Sequence, residues 1–291
     1  MRRHRLAIAV LAAGCVLITA CQPLHLTTPE GSGKIRYRDA IFTEVEKTAD
    51  LTYGKAARLS GSIQTLKLDL YQPKGDTVTK RPAIVWVHGG GFKNGNKESG
   101  ELVDQANVFS KLGYVNVSIS YRLSRGCAPF TSECIQGIEM AYHDAQAAVR
   151  FLRANASTYK IDMNRIAIGG SSAGGITAYN VAYGSDKPGH SGNPGYSSKV
   201  NAAVSLSGAS LTTSPDPGEP PTLDFHGDAD GVVPLSWANT TIADARKANL
   251  IAELVVWTGD GHVPYAKRRT QILDQTRNFL YAAMDLSKAA R

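Results

Sequence analysis

Five residues, Gly170-Ser171-Ser172-Ala173-Gly174, constrain this chain most, because they fit the G-x-S-x-G turn that seats a serine between a strand and a helix. The flanks agree with that order. Arg165-Ile166-Ala167-Ile168-Gly169 is a short apolar run, and Ala173 to Tyr183 reads as a helix beginning in small residues. Two serines compete for the central place. Only Ser172 has glycine both two residues before and two residues after it; centring the turn on Ser171 puts Ala173 where the second glycine should be, and its Cβ obstructs the return of the chain. The spacing therefore makes Ser172 the candidate nucleophile. Standing alone, the motif also fits a turn that merely packs a helix against a sheet.

Three further stretches accompany it. Upstream, Ala83-Ile84-Val85-Trp86-Val87 is a buried-strand run ending in His88-Gly89-Gly90-Gly91-Phe92, the glycine loop found in esterases and lipases. Consecutive glycines leave backbone N–H groups unshielded, and such donors stabilise the oxyanion formed when a serine attacks a carbonyl. Downstream, Thr222-Leu223-Asp224-Phe225-His226 opens into a loop carrying Asp228 and Asp230, and Ala252 to Trp257 is followed by a loop carrying His262. The chain order Ser, Asp, His is that of a triad on a strand-turn-helix sheet. His88, His143 and His226 read as structural.

With these residues in place, the chain resembles the α/β-hydrolase carboxylesterases, close to the hormone-sensitive-lipase-like and bacterial feruloyl- and acetyl-esterase groups, from about Lys67 to Leu280. Leu68-Asp69-Leu70-Tyr71-Gln72-Pro73, Tyr121-Arg122-Leu123, Ile161 to Ile166 and the HG-x-x-D-x-x-VP pattern at His226 to Pro234 also carry the resemblance. It implies Ser172 as nucleophile, His262 as base and then acid, and Asp230 as the residue that fixes the imidazole tautomer. It favours Asp230 over Asp228, whose other role is to close the turn by bonding a nearby backbone N–H. It places the oxyanion donors at the N–H groups of Gly90, Gly91 and Ala173, and it implies no cofactor and no metal. Many hormone-sensitive-lipase relatives carry Asp directly before the nucleophile, where this chain has Ser171.

At 291 residues, with short apolar runs alternating with longer helical patterns, the chain is expected to adopt an α/β fold with a mostly parallel central sheet, helices on both faces and no large cap domain. Expected strands are 67–71, 83–87, 115–121, 165–169, 201–207, 222–226 and 252–257; expected helices are 138–155, 172–183, 236–249 and 264–284. The expected division is a signal peptide at 1–20, a tether and extension at 21–60 and a catalytic domain at 61–288. Within the extension, Asp39 to Asp50 is the segment expected to form a short helix. The connection Gly208 to Pro221 is too short and too rich in Pro, Ser and Thr to build a cap, which predicts an open cleft, and Gly184 to Lys199 is expected to be a surface loop bordering the site.

Met1-Arg2-Arg3-His4-Arg5 followed by the apolar Leu6 to Ala20 reads as a secretory signal, too short for an ordinary membrane span. Ile18-Thr19-Ala20-Cys21 resembles a bacterial lipoprotein box, which predicts lipidation of Cys21 and a periplasmic or cell-surface protein held to a membrane; ordinary cleavage near Ala20 is the alternative. Of four cysteines, Cys15 lies in the signal and Cys21 at the anchor, so Cys127 and Cys134 are expected to pair, two free thiols being the alternative. The formal charge of +7 includes three arginines of the signal, and the remaining positive residues are scattered apart from Lys267-Arg268-Arg269, which reads as a solvated helix face, with no nucleic-acid motif. Three function classes result. The leading one is a serine carboxylesterase acting on small-molecule or polymer-linked esters through an acyl-enzyme. The others are a serine peptidase of the prolyl-oligopeptidase type and a non-catalytic binding protein of the same fold.

Overall fold

The apolar runs of the sequence are strands of one eight-stranded sheet in the computed structural model, which describes Leu26, residues 28–127 and residues 130–289. The strands are β1 (Val45–Ala57), β2 (Ile63–Pro73), β3 (Arg81–Val87), β4 (Val115–Ile119), β5 (Ile161–Ser171), β6 (Ala202–Leu206), β7 (Thr222–Gly227) and β8 (Ala252–Trp257). Their spatial order is β1-β2-β4-β3-β5-β6-β7-β8. The first two strands form an antiparallel hairpin and β2 meets β4 antiparallel, while every later pairing is parallel. The expected α/β-hydrolase fold, a mostly parallel sheet covered by helices, is the observed one. The signal segment and Cys21 lie outside the described residues.

Among the described residues five α-helices cover the sheet: α1 (Gly100–Leu112), α2 (Ser132–Ala154), α3 (Ala173–Tyr183), α4 (Leu235–Lys247) and α5 (Tyr265–Ala283). Alternation along β3 shows how the two layers divide. Ala83, Val85 and Val87 point into a core built with α2, α3 and α4, while Ile84 and Trp86 point into the opposite core, built with α1 and α5. A strand buried on both faces has no reason to alternate in polarity, which is why β3 reads as a continuous apolar run. The indole of Trp86 lies over Gly169 of β5, where a Cβ would come within 2.5 Å of the ring.

Two expectations about the elements are corrected. Residues 39–50 contain no helix; from Val45 onward they belong to β1, an edge strand with only Tyr53 and Ala56 fully buried, so its sequence lacks the apolar density that marks the inner strands. Helix α1 was not anticipated, because its buried face mixes Gln105 and Ser110 with Leu102, Ala106, Phe109 and Leu112, and its N-cap Ser99 makes no side-chain capping bond. The predicted Cys127–Cys134 pair is present as a disulfide, with 4.6 Å between Cα atoms, tying Cys127 to the first turn of α2. No helix or strand interrupts residues 208–221, so that connection builds no cap.

Candidate active site

Ser172 sits at the tip between β5 and α3 with φ 52° and ψ −119°, a left-sided backbone that costs a non-glycine residue strain. The chain returns so tightly that Cβ atoms on Gly170 and Gly174 would lie 2.5 and 1.9 Å from the carbonyl oxygen of Val87 in β3. The two glycines are thus required by the close approach of the turn to the neighbouring strand, which places Ser172, not Ser171, at the apex. Ser171 is the last residue of β5, and its hydroxyl donates to Glu101 Oε1 in the first turn of α1.

The loops after β7 and β8 bring the other two side chains to this apex. His262 Nε2 accepts from the Ser172 hydroxyl at 2.8 Å, and its Nδ1–H donates to Asp230 Oδ2, also at 2.8 Å. Asp230 Oδ1 takes the N–H groups of Val232 and Val233 at 2.8 and 2.9 Å, so both carboxylate oxygens are held. Burial acts to raise the Asp230 carboxyl, but the bonds from His262 and the two backbone N–H groups outweigh it and keep the group below the ordinary carboxylate range. Asp228 takes a different place: Oδ1 accepts the N–H of Gly259 at 2.7 Å, tying the acid loop to the loop that carries His262. Below them, buried His226 donates through Nε2 to the Val233 carbonyl at 2.8 Å and sits 3.2 Å from Asp224.

The glycine loop faces the same hydroxyl. Gly90 and Gly91 have φ 99° and 61°, and a Cβ on Gly90 would meet the Asn94 carbonyl oxygen at 2.2 Å. The Gly90 carbonyl accepts from both Lys93 and Asn94 at 3.0 Å, which turns the peptide so that its oxygen points into the loop. Ala173 opens α3, where helical geometry leaves its N–H without an intrahelical acceptor. Gly90, Gly91, Ser172 and Ala173 line one cavity together. His88 anchors the loop from below: its ring stacks on Tyr121 with centroids 4.1 Å apart, Nδ1–H donates to the Gly89 carbonyl at 2.7 Å, and burial pushes its pKa down to about 4. The Tyr121 hydroxyl donates to the His88 carbonyl at 3.1 Å.

The sequence-derived residues Ser172, Asp230, His262, Gly90, Gly91 and Ala173 therefore meet at one place. The loop 184–199 does not join them. It packs on β1 and α2, with Ser191 and Gly192 carbonyls bonded to Lys55 and Arg150, and none of its residues lines the cavities at Ser172. Glu101 is the polar group at the site that sequence reasoning missed; the signal was its position opening an acid-started helix, but α1 itself was not read. Burial raises its carboxyl above the ordinary range, opposed by the Ser171 hydroxyl and by His262. Among the described residues no cluster of three or more His, Cys, Asp or Glu is placed to hold a metal ion.

A hydroxyl, an imidazole to take its proton, a carboxylate behind the imidazole and a glycine loop in front form an arrangement suited to acyl transfer. The chain is 31% identical over 111 residues to gut esterase 1 of Caenorhabditis elegans, covering 38% of this chain and 19% of that protein. It is 36% identical over 120 residues to phenmedipham hydrolase of Pseudarthrobacter oxydans, covering 40% and 22%. Against chlorogenic acid esterase of Aspergillus niger the figures are 27% over 152 residues, 50% of this chain and 30% of that protein. The chain thus spans less than a third of the length of these relatives. Among solved structures, a thermophilic esterase of Thermogutta terrifontis superposes with a TM-score of 0.66 at 24% identity over 85% of this chain and 95% of that one, a likeness of fold. The BD-FAE family model matches residues 68–214, just over half of the chain, and includes the glycine loop and Ser172 while ending before Asp230 and His262. By that match, on the fold described above, the chain belongs to the BD-FAE family.

Proposed function

We propose that this protein is a serine carboxylesterase that cleaves carboxylic esters through an acyl-enzyme. The observation that carries the reading is the continuous hydrogen-bonded line Ser172 to His262 to Asp230, 2.8 Å at each step, ending against the glycine loop. Ser172 Oγ attacks the ester carbonyl carbon as its proton passes to His262 Nε2, and Asp230 stabilises the imidazolium. The carbonyl oxygen becomes an anion facing the N–H groups of Gly90, Gly91 and Ala173. Collapse breaks the bond to the alkoxy oxygen, which takes the proton from His262 and leaves as alcohol. Water then repeats the sequence on the acyl-enzyme, with His262 as base.

The cleft beside Ser172 supports short to medium acyl groups and leaves room for aromatic or polymer-linked esters. One wall is apolar, and Phe130, Val232 and Trp237 stand exposed at its rim, with no cap above them among the described residues. The decisive test is a panel of nitrophenyl esters from acetyl to palmitoyl, with feruloyl, acetyl-xylan and peptide substrates, run beside Ser172→Ala. Loss of turnover in that variant is expected; undiminished ester hydrolysis by it would remove the assignment. We further propose export and lipid anchoring at Cys21, supported by the signal-like first twenty residues and by a disulfide suited to an oxidising compartment. Mass spectrometry of membrane-fraction protein should find a diacylglyceryl-modified Cys21, and a mature chain beginning there unmodified would overturn the anchor.

A further inference from the structure

Ser172 stands between two compartments lined by different side chains. One, about 350 Å³, runs beneath the glycine loop along Phe92, Ile176, Leu211, Val233 and Trp237. The other, about 460 Å³, lies on the histidine side and is lined by Ser99, Glu101, Ser171, His262 and Val263 together with glycines. Chemistry decides which half of an ester each receives. The alkoxy oxygen takes its proton from His262 Nε2 as it leaves, so the alcohol must stand in the compartment that His262 lines, and the acyl chain takes the one along Phe92, Ile176 and Leu211.

Within the histidine-side compartment, Glu101 and His262 are the ionisable side chains among the described residues. Glu101 is held in place: the Ser171 hydroxyl donates to Oε1, and the first turn of α1 presents the positive end of the helix to the carboxylate. Oε2 has no hydrogen-bond partner among the described residues. The neighbouring charges are spoken for, since Asp104, one turn along, accepts from Tyr265 and Arg269, and Lys97 is bound to Asp69, Asp50 and Glu98. Among the described residues no Lys or Arg pairs with Glu101, so its carboxyl faces the alcohol site without a cationic partner. Burial, which raises its pKa, adds to its demand for a donor.

We propose that this compartment is an alcohol subsite in which Glu101, positioned by Ser171, accepts a hydrogen bond from a free hydroxyl on the alcohol half of the ester. The inference rests on the esterase reading above. An alcohol half without a second hydroxyl makes no such bond, and an anionic one meets the carboxylate as a like charge; a site built to bond a substrate hydroxyl discriminates strongly against analogues that lack it.

The test uses three esters of one acid on the purified full chain: propyl butyrate, glycerol 1-monobutyrate and the butyryl ester of glycolate, whose alcohol half is anionic. All three form the same acyl-enzyme, so selectivity among them is read in kcat/KM of acylation. The expected order is glyceryl, then propyl, then glycolate. The glyceryl-to-propyl ratio should be about tenfold, the size of a charge-assisted hydrogen bond, and should fall toward unity in Glu101→Gln, while the glycolate ester improves. Equal kcat/KM for the glyceryl and propyl esters, or a ratio that Glu101→Gln leaves unchanged, overturns the inference and leaves the esterase reading standing. Failure of the wild type to hydrolyse any of the esters removes that reading itself. Should Glu101→Gln not fold, the wild-type order decides, because a glycolate ester cleaved as fast as the glyceryl one is incompatible with a carboxylate in the subsite.

Discussion

A serine at φ 52° is held there by its surroundings, and the surroundings can be named. The turn is clamped between Val87, which leaves no space for side chains on Gly170 or Gly174, and Leu206, whose carbonyl accepts the Ser172 N–H at 2.8 Å. The same logic governs the glycine loop, where Gly90 combines φ 99° with a carbonyl 2.2 Å from any added Cβ. Gly90→Ala should therefore fold but displace its N–H, and loss of one such donor typically lowers kcat by about 10² to 10³. Steady-state kinetics with circular dichroism checks this; a near-normal kcat in the folded variant would count against the loop as an oxyanion site. Ser171→Ala should keep hydrolysis of plain nitrophenyl esters measurable where Ser172→Ala abolishes it. At this scale, Ser172 was legible because glycine spacing reports backbone crowding, and His262 because chain order restricts the choice. Glu101 was not, since nothing local ties it to a residue seventy positions away.

Secondary elements are joined by buried charge as well as by apolar contact. Arg122, at the end of the β4 connection, donates through Nε and Nη2 to Asp144 of α2 at 2.7 to 3.0 Å, and through Nη1 to the Ala57 carbonyl at the end of β1. Ser191 of the 184–199 loop donates to the same carboxylate at 2.6 Å. One buried pair thus fastens an edge strand, a helix and a long loop. Removing one partner leaves a buried charge uncompensated, so Arg122→Met should lower stability by about 3 to 5 kcal/mol, and Arg122→Met with Asp144→Leu should recover much of that loss. Urea unfolding of the three proteins measures it; equal midpoints for Arg122→Met and wild type would show that the pair carries no stability. This fastening explains where element reading succeeded and failed. The inner strands β3, β6 and β7 and the second half of β5 are buried on both faces and announce themselves as apolar runs, whereas β1 holds its edge by pairing with β2 and by the polar contacts at its end. Helix α1 hides for a related reason: it buries Gln105 and Ser110, so its apolar period is broken by residues that pack without being hydrophobic.

For the molecule as a whole, the Cys127–Cys134 bridge closes a short loop at the rim of the acyl side, and Cys127 itself lines that cavity. Reduction should cost about 2 to 3 kcal/mol in the chain-entropy model, read as a lower urea midpoint in reductant; an unchanged midpoint would mean the loop is held by its packing alone. Acid sensitivity is the other global property the site imposes. Buried His88 has its pKa lowered from 6.5 to about 4, so below pH 6.5 the unfolded chain takes up a proton that the folded one refuses. Stability is therefore lost as pH falls through that window, by up to about 3 kcal/mol on reaching pH 4. The depressed carboxyls of Asp69 and Asp230 act lower, since their contribution is present above the unfolded carboxylate pKa and disappears only as pH falls through their folded values. His226, whose pKa is raised, contributes fully below its unfolded value and changes only above it. Glu101 and Asp224, both raised, gain protons on folding and oppose the loss from His88. The readout is consequently a difference: urea midpoints of wild type and His88→Gln from pH 7 to pH 4.5. The wild type should lose stability more steeply than the variant across this range, and parallel curves would mean that His88 takes up its proton as readily folded as unfolded.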